Sequence, residues 1–291
     1  MTQTPAREGG AKILGYGFGT TDPILSADDI AAAASEFGDT GPSLERLSQL
    51  AGGEPIVAVD DLVAGYGKME ILHGFSLRVG AGQSLCIIGP NGAGKSTVLH
   101  SIYGFTQITS GTIAVRGRDV TRTTPNDKLK SDGVAYILQD SSVFPNMTVE
   151  ENLLLGGFLK ARPREAKQAA DRIFDKYASL ARRRGQRASV LSGGERRLLE
   201  ISRALIMEPD VLLVDEPSIG LEPRFIDMVF EILKELQHGE GKTIIMVEQN
   251  AKKGLEFADI GYVLVSGRLA LAGTGSETLE NPEVGRLFLG G

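Results

Sequence analysis

Gly89-Pro90-Asn91-Gly92-Ala93-Gly94-Lys95-Ser96-Thr97 follows directly on the apolar run Leu85-Cys86-Ile87-Ile88. A strand that runs into glycine-rich chain and then into Lys-Ser reads as a phosphate cradle. Its glycines reach backbone conformations closed to other residues, so successive N–H groups can converge on phosphate oxygens. The helix expected to open near Lys95 adds the partial positive charge of its N-terminus. Lys95 supplies a full charge near the β- and γ-phosphates, and the Ser96 hydroxyl is placed for Mg²⁺. Gly89, Pro90, Asn91, Gly92, Ala93, Gly94, Lys95, Ser96 and Thr97 form the candidate nucleotide-binding set.

Further motifs lie on either side. Val211-Leu212-Leu213-Val214-Asp215-Glu216-Pro217 is an apolar strand ending in two acids. Asp215 can hold the Mg²⁺ shell, through water. Glu216, one residue on, is the candidate general base for the attacking water; the alternative is a surface acid at a strand end. Gln139 ends the run Ala135-Tyr136-Ile137-Leu138-Gln139, where an amide can touch Mg²⁺ or the water and move with the adjoining segment. Tyr66 sits between Gly65 and Gly67, 23 residues before the loop, and can offer its ring face to adenine. The alternative is a tyrosine packed on a small sheet. Leu191-Ser192-Gly193-Gly194-Glu195 opens a helix with Ser192 near its start, and its N–H groups can also bind phosphate.

Leu85 to Ile88, Val134 to Leu138, Val211 to Val214 and Thr243 to Val247 are nearly continuous apolar runs. Such runs mark strands buried on both faces of a parallel sheet. Ile56 to Gly65, Phe75 to Val79 and Gly111 to Gly117 suggest a small antiparallel sheet. Ala166, Ala169, Ala170, Ile173, Phe174, Tyr177 and Leu180 recur at helical spacing, so about 145–190 is expected to be a helical subdomain. Tyr262 to Val265, the turn Ser266-Gly267 and Arg268 to Leu271 are spaced as a hairpin. Residues 1–54 are expected to be a largely flexible extension with one or two small helices, opening at Ser26 and Ser43. Gly15-Tyr16-Gly17-Phe18-Gly19 lacks a strand-turn-helix context and reads as flexible chain. The folded domain is expected over 55–291.

The 291 residues are 42% apolar, enough for a substantial core. There is no run of about 18 apolar residues to cross a membrane and no secretory signal pattern. Cys86 reads as a small core hydrophobe, and a single cysteine suits the cytosol. A net charge of −6 gives no overall attraction to nucleic acid or anionic lipid. Asn146-Met147-Thr148 matches a glycosylation sequon by chance.

The order phosphate loop, Leu-Ser-Gly-Gly-Glu, paired acids resembles the ATP-binding-cassette (ABC) ATPases. From Pro55 onward the chain resembles the ATP-binding subunits of ABC importers for branched-chain, hydrophobic amino acids. The markers are Val143-Phe144-Pro145-Asn146-Met147-Thr148-Val149-Glu150-Glu151-Asn152-Leu153, Pro217-Ser218-Ile219-Gly220-Leu221-Glu222-Pro223, Val247-Glu248-Gln249-Asn250 and Leu287-Phe288-Leu289-Gly290-Gly291. The resemblance implies an α/β fold: a RecA-like P-loop NTPase core, a small antiparallel β subdomain and an inserted helical subdomain. It implies ATP and Mg²⁺ as ligands, with Ser192, Gly193 and Gly194 facing a nucleotide held by a second ATPase subunit, so that a lone copy hydrolyses poorly. The implied partners are permease subunits, a companion ATPase in a homo- or heterodimer, and indirectly a substrate-binding protein. The implied place is peripheral, on the cytoplasmic face of the inner membrane.

Three departures stand out. Gln249 occupies the position near the γ-phosphate where most ABC proteins carry histidine. The branched-chain subfamily resembles this chain there, and glutamine donates a hydrogen bond without titrating. Glu222 replaces a common aspartate. Arg196 and Arg197 follow the signature as in lipopolysaccharide-export ATPases, which keeps that function open as an alternative. A soluble ABC ATPase without permease is a second alternative. A cassette that binds ATP without hydrolysing it is disfavoured by intact Lys95, Asp215 and Glu216.

Overall fold

The computed structural model describes residues 41–139 and 142–289. The expected helix at Ser26, the glycine-rich stretch Gly15 to Gly19 and the terminal Gly290-Gly291 lie outside the described residues.

The four apolar runs become adjacent strands of one sheet. These are β3 (Ser84–Ile88), β6 (Val134–Ile137), β7 (Val211–Asp215) and β8 (Thr243–Val247), joined by β9 (Ile260–Val265) and β10 (Arg268–Thr274) in the order β10-β9-β3-β8-β7-β6. All neighbours pair in parallel except β9 and β10, the expected hairpin, whose register sets Val265 opposite Arg268. Because side chains alternate across a strand, Cys86 and Ile88 enter one core while Leu85 and Ile87 enter another on the opposite face. Cys86 is a buried free cysteine whose thiol burial pushes well above its ordinary range, as suits a core hydrophobe.

The second sheet, antiparallel, has the order β2-β1-β4-β5, with β1 (Val57–Tyr66), β2 (Met69–Val79), β4 (Gln107–Val115) and β5 (Arg118–Asp119). The strand read as beginning at Gly111 starts four residues earlier. Gly111 sits inside β4 at φ 88°, where a Cβ would meet the Asp60 carbonyl oxygen at 2.5 Å. It accommodates the irregular register opposite Asp60 to Val63, so a residue that looks like a strand boundary is a bulge device.

Between β6 and β7 lie α4 (Val149–Gly156), α5 (Pro163–Lys176), α6 (Ala178–Arg182) and α7 (Gly193–Leu205). Thr148 caps α4 with a capping box to Glu151, which accounts for the threonine of the sequon-like triplet. The expected apolar stripe divides. Ala166, Ala169, Ala170, Ile173 and Phe174 are the buried face of α5, the chain breaks at Tyr177, and Leu180 belongs to α6.

The domain start needs correction. Ser43 caps the helix α1 (Leu44–Ala51), as its sequence predicts, but α1 is not a free extension. Leu47 is 0% exposed and lies in the same core as Val57, Val79 and Leu85. Gln83 Nε2 donates to the Leu50 carbonyl, and Arg46 pairs with Glu277 at 2.6 Å. Packing therefore begins before the boundary placed at residue 55.

Candidate functional site

The phosphate loop joins β3 to α2 (Lys95–Tyr103), and Gly94 stands at the N-cap of α2 with φ 97°. Gly89 has φ 151°, and a Cβ there would meet the Leu264 carbonyl oxygen at 2.1 Å. Only glycine lets the loop lie this close to β9. The Lys95 ammonium donates to the carbonyl oxygens of Gly89 at 3.0 Å and Pro90 at 3.2 Å. Burial lowers its pKa, while the carboxylates of Glu216 and Asp215 work in the opposite sense.

The strand ends converge on this loop, as parallel α/β sheets place ligands beyond the carboxyl ends of their strands. Ser96 Oγ donates to Asp215 Oδ1 at 3.0 Å. Gln139 Nε2 donates to Glu216 Oε2 at 2.6 Å. Gln139 lies two residues beyond the end of β6, after the exposed Leu138, so the strand is shorter than its apolar run suggests. Glu216 has φ 42°, a conformation rare for non-glycine residues and one that turns the chain sharply out of β7.

The oxygen pair Ser96 Oγ and Asp215 Oδ1 suits a hard cation. Among the described residues no group of three or more His, Cys, Asp or Glu could hold a metal by itself. Two oxygen donors beside a phosphate loop fit Mg²⁺, which keeps waters and phosphate oxygens and takes few protein ligands.

Of the other expected residues, Tyr66 lies against the loop, its hydroxyl within hydrogen-bond reach of Thr97. Tyr66 ends β1, partly exposed, and its hydroxyl shares a hydrogen bond with His100 Nδ1. The rings meet edge to face at 6.0 Å. Burial lowers the His100 pKa against the pull of Asp215. Ser192 is the N-cap of α7, in a capping box with Glu195. Its hydrogen bonds stay within that cap and do not reach residues 89–97. Gly193 is exposed; Gly194 is buried, and a Cβ on it would lie 2.3 Å from Phe225 Cδ1. Gln249 is exposed on the turn after β8.

Two residues of the site had no role assigned from sequence. Tyr136 donates its hydroxyl to Asp215 Oδ2 at 2.7 Å and stacks on Tyr103 with centroids 5.5 Å apart. Burial first, and then Asp215, push its pKa up. Tyr136 projects from the sheet face that carries Val134 and Leu213, and nothing local in the sequence marks its hydroxyl for Asp215. Arg197, noted only as a departure, is 4% exposed and bridges Glu200 at 2.9 Å and the Leu138 carbonyl at 2.8 Å. It ties the signature helix to the segment that carries Gln139.

Residues 72–219 match the protein family described as ABC transporter. The chain is 40% identical over 236 residues to the high-affinity branched-chain amino acid transport ATP-binding protein BraG of Pseudomonas aeruginosa, covering 81% of this chain and 100% of that protein. It is 37% identical over 229 residues to a probable branched-chain amino acid transport ATP-binding protein LivF of Archaeoglobus fulgidus, covering 79% and 96%. The lipopolysaccharide export ATP-binding protein LptB of Haemophilus influenzae is 28% identical, covering 81% and 97%. Among solved structures, a nucleotide-free ATP-binding cassette from an ABC transporter superposes with a TM-score of 0.72 at 28% identity, covering 81% of this chain and 100% of that one. The ADP conformation of such a cassette gives 0.71 at 28% identity, covering 81% and 99%. With an α/β fold built around a phosphate loop, and with these relatives, the chain belongs to the ATP-binding subunits of ABC transporters and is an ABC ATPase.

Proposed function

We propose that this ATPase drives import of branched-chain or other hydrophobic amino acids, at the cytoplasmic face of the membrane, together with permease subunits, a companion ATPase and a substrate-binding protein. The observation that carries the catalytic part is the convergence of Ser96 on Asp215 and of Gln139 on Glu216 beside the phosphate loop. In this reading the loop 89–97 cradles the ATP phosphates, Lys95 neutralises the β- and γ-oxygens, and Tyr66 packs on adenine. Ser96 and Asp215, with Gln139 nearby, would hold Mg²⁺, which when bound draws charge from the β- and γ-phosphates. Glu216 accepts a proton from the attacking water while the γ-phosphorus–oxygen bond to ADP breaks, so the products are ADP and phosphate. Gln139 aims the Glu216 carboxylate, and Gln249 donates a hydrogen bond to a γ-phosphate oxygen. Ser192, Gly193 and Gly194 meet the nucleotide of a second subunit, which favours a dimer on ATP binding.

A groove of about 450 Å³ supports the partner reading. Its walls include Tyr103, Tyr136, Phe144, Leu155 and Phe158, with Phe144 49% and Phe158 64% exposed. Exposed aromatics beside a groove mark a surface for an apolar helix, here a short permease helix. No helix among the described residues is long and apolar enough to cross a membrane. Membrane attachment in this reading comes through that groove.

Purification of the tagged full chain from its native membrane, followed by identification of the co-purifying membrane proteins, tests the proposal. Permeases whose reconstituted vesicles take up leucine, isoleucine or valine on ATP addition support it. Recovery of lipopolysaccharide-export membrane subunits would overturn the substrate assignment.

A further inference from the structure

Glu248 follows β8 and is 1% exposed. Its carboxylate is held by neutral donors from two separate loops. Oε1 accepts from Ser218 Oγ at 2.6 Å and from the backbone N–H groups of Gln249 and Asn250, each at 2.9 Å; Oε2 accepts from Ser218 N at 3.3 Å. Ser218 lies two residues beyond Glu216, and Gln249 is the residue read as touching the γ-phosphate. The stem of Glu248 is confined as well. A Cβ on Gly254 of α9 (Ala251–Phe257) would lie 3.1 Å from Glu248 Cβ and 2.6 Å from Cys86 Sγ. Burying a carboxylate is costly, and charge-assisted hydrogen bonds are what offset it. Through these four hydrogen bonds one side chain joins the loop after β7 to the turn after β8.

We infer that Glu248 is a positioning residue, which clamps the loop after Glu216 to the turn carrying Gln249 so that both move as one body at the γ-phosphate end of the site. The inference rests on the proposed reading of Glu216 and Gln249. With the clamp intact, the base and the phosphate contact keep one spacing. With it loosened, ATP still binds in the cradle of residues 89–97, but the attacking geometry is lost.

The test is ATP hydrolysis by the assembled transporter with the parent chain and with Glu248→Gln, Ser218→Ala, the double variant and Gln249→Ala, with kcat and KM separated, and Tm measured on each purified chain. In Glu248→Gln an amide nitrogen replaces one oxygen and faces a backbone N–H. Expected is a fall in kcat of roughly tenfold with KM for ATP changed by less than about threefold, because the lost contacts serve positioning rather than ground-state binding. The double variant should be no slower than Glu248→Gln, since both substitutions open one clamp. Equal kcat in Glu248→Gln and parent, or independent additive effects of the two substitutions, would overturn the inference. Should Glu248→Gln not fold, Ser218→Ala decides: it should lower kcat with Tm kept, and an unchanged kcat is fatal. Gln249→Ala separates the layers. If it is slow while Glu248→Gln matches the parent, the clamp fails and the reading of Gln249 stands; if Gln249→Ala matches the parent, that reading fails and the clamp falls with it.

Discussion

Gln139 Nε2 donates to Glu216 Oε2 at 2.6 Å, linking the end of β6 to the end of β7. The amide holds one carboxylate oxygen of the residue proposed as base. Glu216→Gln removes the proton acceptor and keeps the shape. ATP affinity in calorimetry should stay near that of the parent, while turnover falls by about two orders of magnitude or more. Near-parent turnover in the assembled transporter would remove Glu216 from the role of base.

Tyr136 acts on the neighbouring acid. Tyr136→Phe deletes the donor to Asp215 Oδ2 but keeps the ring that stacks on Tyr103. Loss of an outer hydrogen bond to a ligating group typically costs about tenfold or more in metal affinity. The Mg²⁺ concentration needed for half-maximal enhancement of nucleotide binding should rise accordingly, with Tm little changed. An unaltered Mg²⁺ titration would show that Ser96 alone orients Asp215.

What was legible in the sequence shares one property: the signal is local. Leu85 to Ile88 and Thr243 to Val247 read as strands because burial on both faces leaves no polar alternation. Lys95 and Ser96 read as a phosphate site because strand, glycines and helix start are consecutive. Tyr136, Arg197 and Glu248 were opaque because their partners lie 79, 59 and 30 residues away for Asp215, Leu138 and Ser218. The start of α1 at Ser43 was visible, but the surface of the core that receives Leu47 was not.

That surface makes the chain's start testable by truncation. Removal of residues 1–40 leaves α1 and its contacts in place and gives the reference Tm. Removal of 1–54 also deletes Leu47, the Arg46–Glu277 pair and the Leu50 carbonyl that Gln83 uses. Loss of one fully buried leucine typically costs about 2–5 kcal/mol. The longer truncation should therefore melt markedly lower or be insoluble. Equal Tm for both truncations would return α1 to the status of a free extension.

Lys128 gives a pH-dependent test remote from the motifs. It lies in α3 (Pro125–Lys130), is 0% exposed, and donates to the Ile102 carbonyl at 2.7 Å, near the last turn of the phosphate-loop helix. Burial lowers its pKa to about 8 from 10.5, with Asp119 pulling the other way. Between these values the unfolded chain binds more protons than the folded one, so this lysine makes unfolding free energy rise with pH across that window. Below pH 8 both states are charged and the burial penalty is present in full; above 10.5 both are neutral and it is gone. Lys128→Met removes the titration. The stability of the parent relative to Lys128→Met, from urea unfolding, should improve from pH 7.5 to 10.5 by at most about 3 kcal/mol. A constant difference across that range would mean that the ammonium stays protonated in the folded chain, with the Ile102 carbonyl and the C-terminal end of the α2 dipole compensating its burial.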